Sequence, residues 1–147
     1  MQLLLYTDYA LRALLYVGAH PSEPVPASAI AEAYGISVDH VSKATKALTR
    51  AGLLRAKRGA GGGVELAKPA SEIRVGDVVR LFERDKGLVE CFRASESSCK
   101  ITPVCRLRRA LEQAEKAFYA ELDGWTLADL VENRPQLVRL LRSAEPR

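Results

Sequence analysis

Three cysteines lie close together in the chain and are the residues best suited to chemistry. Cys91, Cys99 and Cys105 are the only cysteines among 147 residues, with seven residues between the first two and five between the last two. An odd cluster without signs of secretion indicates metal binding rather than a disulfide framework. Structural zinc sites usually contain cysteine pairs two to four residues apart, which this spacing does not match. The pattern predicts an incomplete thiolate site, either a reactive iron–sulfur centre or a zinc site completed by His or Asp.

Basic residues are concentrated in one part of the chain. The net charge of the whole chain is +4, whereas residues 37–68 contain seven Lys or Arg residues and two acidic ones. This uneven distribution indicates a polyanionic partner such as DNA. No segment approaches the roughly 18 apolar residues of a membrane span and no signal peptide is evident, so we expect a cytoplasmic protein. No catalytic triad or carboxylate pair stands out, so we do not expect an enzyme.

The basic region begins with a predicted helix-turn-helix. Thr7 is a candidate N-cap for a first helix, and residues 27–34 form a short second helix. Gly35 suits the left-handed position after that helix, and Ser37 can cap a third helix that runs to about Arg50. A short helix, a glycine turn and a capped basic helix are typical of this motif.

The remaining sequence predicts a wing, a loop and a long helix. Two short apolar runs flank the glycine-rich residues 59–63 and predict a hairpin, which would be the wing of a winged helix. A helix over 75–83 is expected to pack beneath it. Residues 84–104 show little periodicity and predict a loop, whereas 105–122 return to a helical pattern with one apolar stripe. Thr126 with Asp129 resembles a capping box, and Pro135 can open a last helix.

The third helix and the wing contain the candidate DNA contacts. Lys46 and Arg50 are four residues apart, on one helical face, and are suited to phosphates. Arg58, at the base of the glycine loop, is suited to a narrow minor groove. The loop lacks a dinucleotide fingerprint and no helix follows it, so a phosphate cradle is disfavoured. The alternative is a solvated basic helix in a protein that does not bind DNA. The full set of candidates is Ser37, His40, Ser42, Lys43, Lys46, Arg50, Arg58 and Gly59.

Several motifs in this order resemble one known family over nearly the whole chain. They are residues 6–12 (YTDYALR), Ile36-Ser37 with His40, residues 58–63 (RGAGGG) and residues 126–130 (TLADL). Together they resemble the Rrf2 family of winged-helix repressors. Residues 89–92 (VECF) and 99–107 (CKITPVCRL) are similar to its nitric-oxide-sensing, iron–sulfur branch, the NsrR-type repressors.

The resemblance implies a mainly α homodimer, with a winged helix-turn-helix, a small β-hairpin wing and a long dimerisation helix. The implied domains are a DNA-binding domain over 1–83, a cluster-binding loop over 84–104, and the dimerisation helix with C-terminal helices over 105–147. It further implies an iron–sulfur cluster, 4Fe–4S rather than 2Fe–2S, held by Cys91, Cys99, Cys105 and the partner subunit's Asp8. Nitric oxide would nitrosylate this cluster and release operator DNA, and Arg12 would hold or release Asp8 as a switch. Without the resemblance, Asp8 is more simply an acidic charge that is favoured at a helix N-terminus.

Other members of the family leave alternatives open. IscR-like regulators have a histidine ligand three residues after the third cysteine, where this chain has Arg108, which cannot bind iron. RirA-like, iron-responsive regulators share the three cysteines and remain an alternative. The interval between Cys91 and Cys99 is longer than in some members, which alters the loop but not the number of ligands. A non-regulatory iron–sulfur redox protein that uses the winged helix for interaction is the alternative from another class.

Overall fold

The computed structural model describes residues 2–84, 87–92 and 98–142, which form seven α-helices, one hairpin and three short 3-10 turns. None of the described helices is long and apolar enough to cross a membrane. The mainly helical content with one antiparallel hairpin confirms the predicted fold class. In chain order the elements are α1 (Leu5–Ala19), α2 (Ala27–Tyr34), α3 (Val38–Arg50), β1 (Leu54–Lys57), β2 (Gly63–Leu66), α4 (Val75–Glu83), α5 (Arg106–Asp123), α6 (Leu127–Leu130) and α7 (Arg134–Arg142).

The helix-turn-helix is formed by α2 and α3, and its turn confirms the predicted punctuation. Gly35 has a φ of 62°, in the left-handed region, and ends α2. The Ile36 N–H then donates to the Ala31 carbonyl at 2.9 Å. The Ser37 hydroxyl accepts the His40 backbone N–H at 3.3 Å and caps α3. These local interactions end one helix and begin the next within four residues.

The wing is the β1–β2 hairpin, held against the segment that leads into α2. Leu54 pairs with Leu66 at the open end of the hairpin, and Lys57 pairs with Gly63 next to the loop. Val25 and Val64 exchange two backbone hydrogen bonds of 2.8 Å, which attach β2 to the body of the protein. A Cβ atom on Gly63 would collide with the Val25 backbone, so this close approach requires glycine.

The core surrounds α1 and includes the C-terminal part of the chain. Leu14, at the centre of α1, is buried together with Ile30 of α2 and Leu48 of α3. Leu127 and Val131 enter the same core, beside the α1 residue Gly18. The predicted domain boundaries stay a prediction, although residues after α5 pack with the N-terminal unit. The predicted domains also include Met1 and residues 85–86, 93–97 and 143–147, which lie outside the described residues.

The beginning of α1 differs from the sequence prediction. The helix starts at Leu5, and Thr7 is wholly buried inside it, so the predicted N-cap role of Thr7 is wrong. The cap comes from α4 instead: the Glu83 carboxylate accepts the Leu4 N–H at 2.7 Å and the Thr7 hydroxyl. The charged acceptor satisfies donors at the helix end, where the helix dipole favours negative charge.

Two smaller expectations also need correction. The helix over 75–83 forms as predicted, but α4 packs mainly on α1 and α5 instead of beneath the wing, because its buried face joins the α1 core. The last helix begins at Arg134, which makes Pro135 its second residue rather than its first. The Thr126–Asp129 capping box is complete, with both reciprocal hydrogen bonds present.

The long helix α5 lies outside the core and is attached to it at one end. None of its 18 residues is buried in the single chain. Arg80 of α4 makes two hydrogen bonds of 2.6 Å to the Asp123 carboxylate, and its guanidinium lies 4.6 Å from the centre of the Tyr119 ring. The paired guanidinium lowers the pKa of Asp123 below its usual value. The C-terminal end of α5 is therefore fixed to α4.

Candidate nucleic-acid interface and cysteine segment

One exposed face of α3 carries three basic side chains, Lys43, Lys46 and Arg50, which we call the basic face. The opposite face is buried in the core, where Val41 and Leu48 are fully covered. The apolar spacing therefore fixes which side of the helix is presented outward. Within the described residues, none of the three basic side chains makes an ion pair with the protein. Their charges are available to an external anion.

The N-terminal half of α3 is positioned by caps and by α1. The Ser37 hydroxyl is occupied by capping, and the exposed His40 ring stacks on Tyr9 with ring centroids 5.5 Å apart. The Lys43 carbonyl accepts a hydrogen bond of 2.7 Å from the Tyr6 hydroxyl. Tyr6 and Tyr9 were absent from the candidate residues, because a cross-helix contact leaves no signal in local periodicity.

The wing extends the basic surface. Arg58 and Gly59 are exposed at the start of the wing loop, and Gly59 has a φ of 100° that favours glycine. A groove runs between α3 and the wing, and its lining includes Ser42, Lys46 and Lys57. Lys57 is a further basic residue that the sequence prediction missed, although it belongs to the basic region. In contrast, Arg55 is paired with Glu65 across the hairpin at 2.8 Å.

The three cysteines are free thiols in the segment that precedes α5, which we call the cysteine segment (residues 91–105). Cys91 is half-buried in a 3-10 turn, Cys99 is exposed, and Cys105 is the half-buried N-cap residue of α5. Cys105 Sγ accepts the Arg108 backbone N–H at 3.4 Å. The described parts of 84–104 contain no α-helix or strand, as predicted, while 85–86 and 93–97 lie outside them.

The donor types suit an iron–sulfur cluster, because the three cysteines form no disulfide and such clusters are held by cysteine thiolates. Across residues 2–84, 87–92 and 98–142, however, no three His, Cys, Asp or Glu side chains are close enough to hold a metal ion. The ligand set therefore stays a prediction, and its predicted fourth residue would come from another subunit. Arg108 stands at the position where histidine is expected in an IscR-like protein. Its Nε lies 3.0 Å from Glu112 Oε1, so the two side chains form an ion pair, but the geometry is not that of a hydrogen bond.

Asp8, the predicted fourth ligand, is paired with Arg12 one turn further along α1. Both carboxylate oxygens are engaged, with Arg12 Nη2 at 2.9 Å and Arg12 Nε at 3.0 Å. The two side chains are about 40% exposed, so the pair lies at the surface. The Arg12 guanidinium also lies 5.6 Å from the centre of the Tyr34 ring. Burial raises the pKa of Tyr34 above its usual value. The pair exists as predicted, whereas its role as a switch stays a prediction.

An apolar surface continues from the cysteine segment onto α5. Ile101, Val104 and Leu107 are 59%, 81% and 66% exposed. Further along α5, Leu111 and Phe118 lie on the same helical stripe and are only partly covered. Removing such apolar side chains from water is favourable, so a contiguous exposed apolar surface is typical of a site that another protein surface covers.

Comparison with known proteins connects these features to one family. A family model described as Rrf2, iron-dependent transcriptional regulator, matches residues 5–133. The chain is similar to the structure of IscR from T. potens, with 28% identity, a TM-score of 0.73, and coverage of 90% of this chain and 88% of that one. It is also similar to the oxidized form of CymR from Staphylococcus aureus, with 27% identity, a TM-score of 0.71, and coverage of 90% and 97%. CymR from B. subtilis, described as its global cysteine regulator, has 25% identity, a TM-score of 0.64, and coverage of 90% and 98%.

Proposed function

Because the chain belongs to the Rrf2 family of transcriptional regulators, we propose that it is a DNA-binding repressor that holds an iron–sulfur cluster and releases its operator in response to nitric oxide. The observation that carries the DNA-binding part is the exposed basic face of α3 beside the glycine wing. Regulators of this kind are not enzymes, which agrees with the lack of a catalytic arrangement in the sequence.

In this proposal α3 enters the major groove and the wing contacts the adjacent minor groove. His40 and Ser42, on the N-terminal half of α3, would approach base edges, where each base pair presents a distinct donor and acceptor pattern. The basic face would contact phosphates, which fix the register of the helix on the duplex. Arg58, exposed beside Gly59, would enter the minor groove, whose negative potential favours arginine.

The repressor would act as a homodimer. The long helix α5 has no buried residue in the single chain and exposes Leu107. The same stripe of a second chain can cover it, and a two-fold arrangement then presents two recognition helices. Half-sites on DNA are commonly one helical turn apart, at about 34–36 Å, so the geometry of α5 would determine the operator spacing.

The proposed ligands are Cys91, Cys99, Cys105 and the partner subunit's Asp8. When bound, a 4Fe–4S cluster with one oxygen ligand would supply an iron that nitric oxide can reach. Arg12 already holds both oxygens of Asp8 within its own chain. It would orient that carboxylate towards a neighbouring subunit and neutralise it when it is not a ligand. The pairing supports Arg12 as the residue that competes for Asp8.

An anaerobic titration tests this proposal. Protein purified without oxygen should be brown and contain iron and sulfide, and nitric oxide should both change its absorption and weaken DNA binding in the same sample. Loss of DNA binding on iron chelation, without a response to nitric oxide, would instead favour the iron-responsive alternative. A cluster with reversible reduction but no sequence-specific DNA binding would favour the redox protein.

The cysteine variants provide the matched control. Cys99→Ala should abolish stable cluster binding and leave the fold intact, because Cys99 is exposed and outside the core. Ser98→Ala alters the neighbouring residue, which hydrogen-bonds to Glu90, and should retain the cluster. A Cys99→Ala protein with a full complement of iron and sulfide would refute the proposed ligand set.

A further inference from the structure

The first two turns of α1 contact the part of α3 that faces outward. Tyr6 Oη donates a hydrogen bond of 2.7 Å to the Lys43 carbonyl. One turn later, the Tyr9 ring stacks on the His40 ring at an interplanar angle of 29°. Both contacts fall on α3 residues that the proposed interface uses. They therefore hold the DNA-facing half of this helix against α1.

The other side of this α1 segment is fixed to α4. The ring of Tyr6 packs edge-on against Phe82, with centroids 5.1 Å apart and planes at 88°. The Glu83 carboxylate accepts the N–H of Leu4 and the buried hydroxyl of Thr7, on either side of Tyr6 in the sequence. Because α1 is capped and packed at this point, the Tyr6 hydroxyl is a fixed reference for α3.

The hydrogen bond to Lys43 is not needed to satisfy a helix carbonyl. Within α3, this carbonyl accepts the N–H four residues later, and the Tyr6 hydroxyl uses the second lone pair. The buried faces of the two helices combine large residues such as Leu14 and Val41 with small ones such as Ala44. Apolar packing fixes which face of α3 points inward, and the directional bond at Lys43 adds a constraint on the rotation and sliding of α3 at its exposed edge.

We infer that Tyr6 is a positioning residue for sequence-specific DNA recognition, and that its hydroxyl sets the rotation and height of α3 on the body of the protein. Base contacts require a helix to be placed within a fraction of an ångström, whereas contacts to phosphates by long basic side chains tolerate small displacements. Loss of the hydroxyl should therefore reduce specific binding more than non-specific binding. The inference rests on the proposed role of α3 in DNA binding, but not on the cluster or on nitric oxide.

Tyr6→Phe removes the hydroxyl and keeps the ring against Phe82. The matched control is Tyr16→Phe, because Tyr16 also belongs to α1 but its ring stacks on His20, with centroids 4.3 Å apart, and packs against Tyr34. Each full-length protein is titrated with a duplex selected by the wild type from a random pool, and with an unrelated duplex of equal length. At one salt concentration, Tyr6→Phe should lose about fivefold in specific affinity, on the order of one neutral hydrogen bond. The affinity of Tyr6→Phe for the unrelated duplex, and its salt slope, should match those of the wild type. Tyr16→Phe should match the wild type in both affinities and in salt slope.

Hydrogen exchange of the free proteins tests the positioning itself. Backbone amides of α3 should exchange faster in Tyr6→Phe than in Tyr16→Phe, while those of α4 should be unchanged. Equal losses of affinity on both duplexes, unchanged specific affinity, or unchanged exchange in α3 would each overturn the inference. A wild-type chain that selects no duplex would refute the proposed function, and the exchange in α3 would then decide the positioning role alone.

Discussion

Replacing Asp8 by Ala distinguishes two roles of this residue, a member of a surface ion pair and a proposed cluster ligand. The first role predicts a small loss of stability, whereas the second predicts a large change in the properties of the cluster. The Asp8–Arg12 contacts are 2.9 and 3.0 Å, but both side chains are about 40% exposed. An exposed pair one helical turn apart contributes about 0.3–0.5 kcal/mol. An acidic charge in the first turn adds about 0.3–1 kcal/mol through the helix dipole. The cluster-free variant should therefore lose about 1 kcal/mol of unfolding free energy, equivalent to about 2–4 °C in Tm at this size.

The cluster-loaded form should respond much more strongly if the partner subunit's Asp8 is a ligand. Three thiolates can still retain a cluster with solvent in the open position, so the absorption spectrum and the rate of reaction with nitric oxide should both change. Arg12→Ala is the matched control, because it removes the same ion pair and leaves the carboxylate in place. Its thermal midpoint should fall by less than that of Asp8→Ala, because it loses the ion pair of about 0.3–0.5 kcal/mol but keeps the acidic charge in the first turn. Its spectrum should remain close to that of the wild type.

Two results would refute this reasoning. An Asp8→Ala protein with the wild-type spectrum and wild-type nitric-oxide kinetics would remove Asp8 from the ligand set. A loss of stability well above about 1 kcal/mol in the cluster-free protein would show that the exposed pair has a structural role that its geometry does not indicate.

Three further predictions concern DNA contacts, the α1 cap and the attachment of α5. Lys46→Ala and Arg50→Ala should each weaken binding to all duplexes, since each removes a phosphate contact. The slope of log affinity against log salt concentration should fall by about one for each variant. An unchanged slope in titrations at several salt concentrations would argue against that contact. Thr7→Val should lower the free energy of unfolding by about 1.5–3 kcal/mol in urea titrations, because the buried hydroxyl bonds to a charged carboxylate, whereas Thr7→Ser should retain most of the stability. The pKa of Asp123 is lowered by its hydrogen bond from Arg80, so its stabilising contribution is complete above its usual value of 3.8 and is lost as the pH falls through the folded-state pKa. Asp123→Asn should therefore show a shallower loss of stability with falling pH than the wild type in acid titrations, and equal slopes would contradict the assignment.

The elements that the sequence predicts well are those fixed by neighbours in the chain. Gly35 ends α2 and Ser37 begins α3 through local hydrogen bonds, and Thr126 likewise caps the start of α6. Thr7 resembled such a cap, yet its hydroxyl is bonded to Glu83, 76 residues away. A distant carboxylate that caps α1 removes the need for a side-chain cap at the helix start. Local patterns contain no information about this partner.

The candidate site divides in the same way. The types and spacing of the cysteines, and the face occupied by Lys46 and Arg50, follow directly from the sequence and from helical periodicity. The contact between Tyr6 and Lys43 joins residues 37 positions apart and follows only from the packing of α1 on α3. The proposed ligand set would also need an aspartate of another subunit, and the periodicity of one chain does not encode such an assembly.

Under the proposed function, the separation between the core and α5 allows DNA release without unfolding. The core includes residues of every helix from α1 to α4 and of α6, whereas α5 adds no buried residue. Its C-terminal end is fixed by Arg80 and Asp123, and its N-terminal end begins next to Cys105. With 18 residues the helix is about 27 Å long, so a rotation of about 10° about the fixed end displaces the cysteine end by about 5 Å. Under the proposed function, the same rotation moves the winged domains of a dimer relative to each other. A displacement of a few ångströms exceeds the tolerance of base contacts. A rigid-body change at α5 is therefore enough to stop the two recognition helices from matching half-sites about 34 Å apart, while the core remains folded.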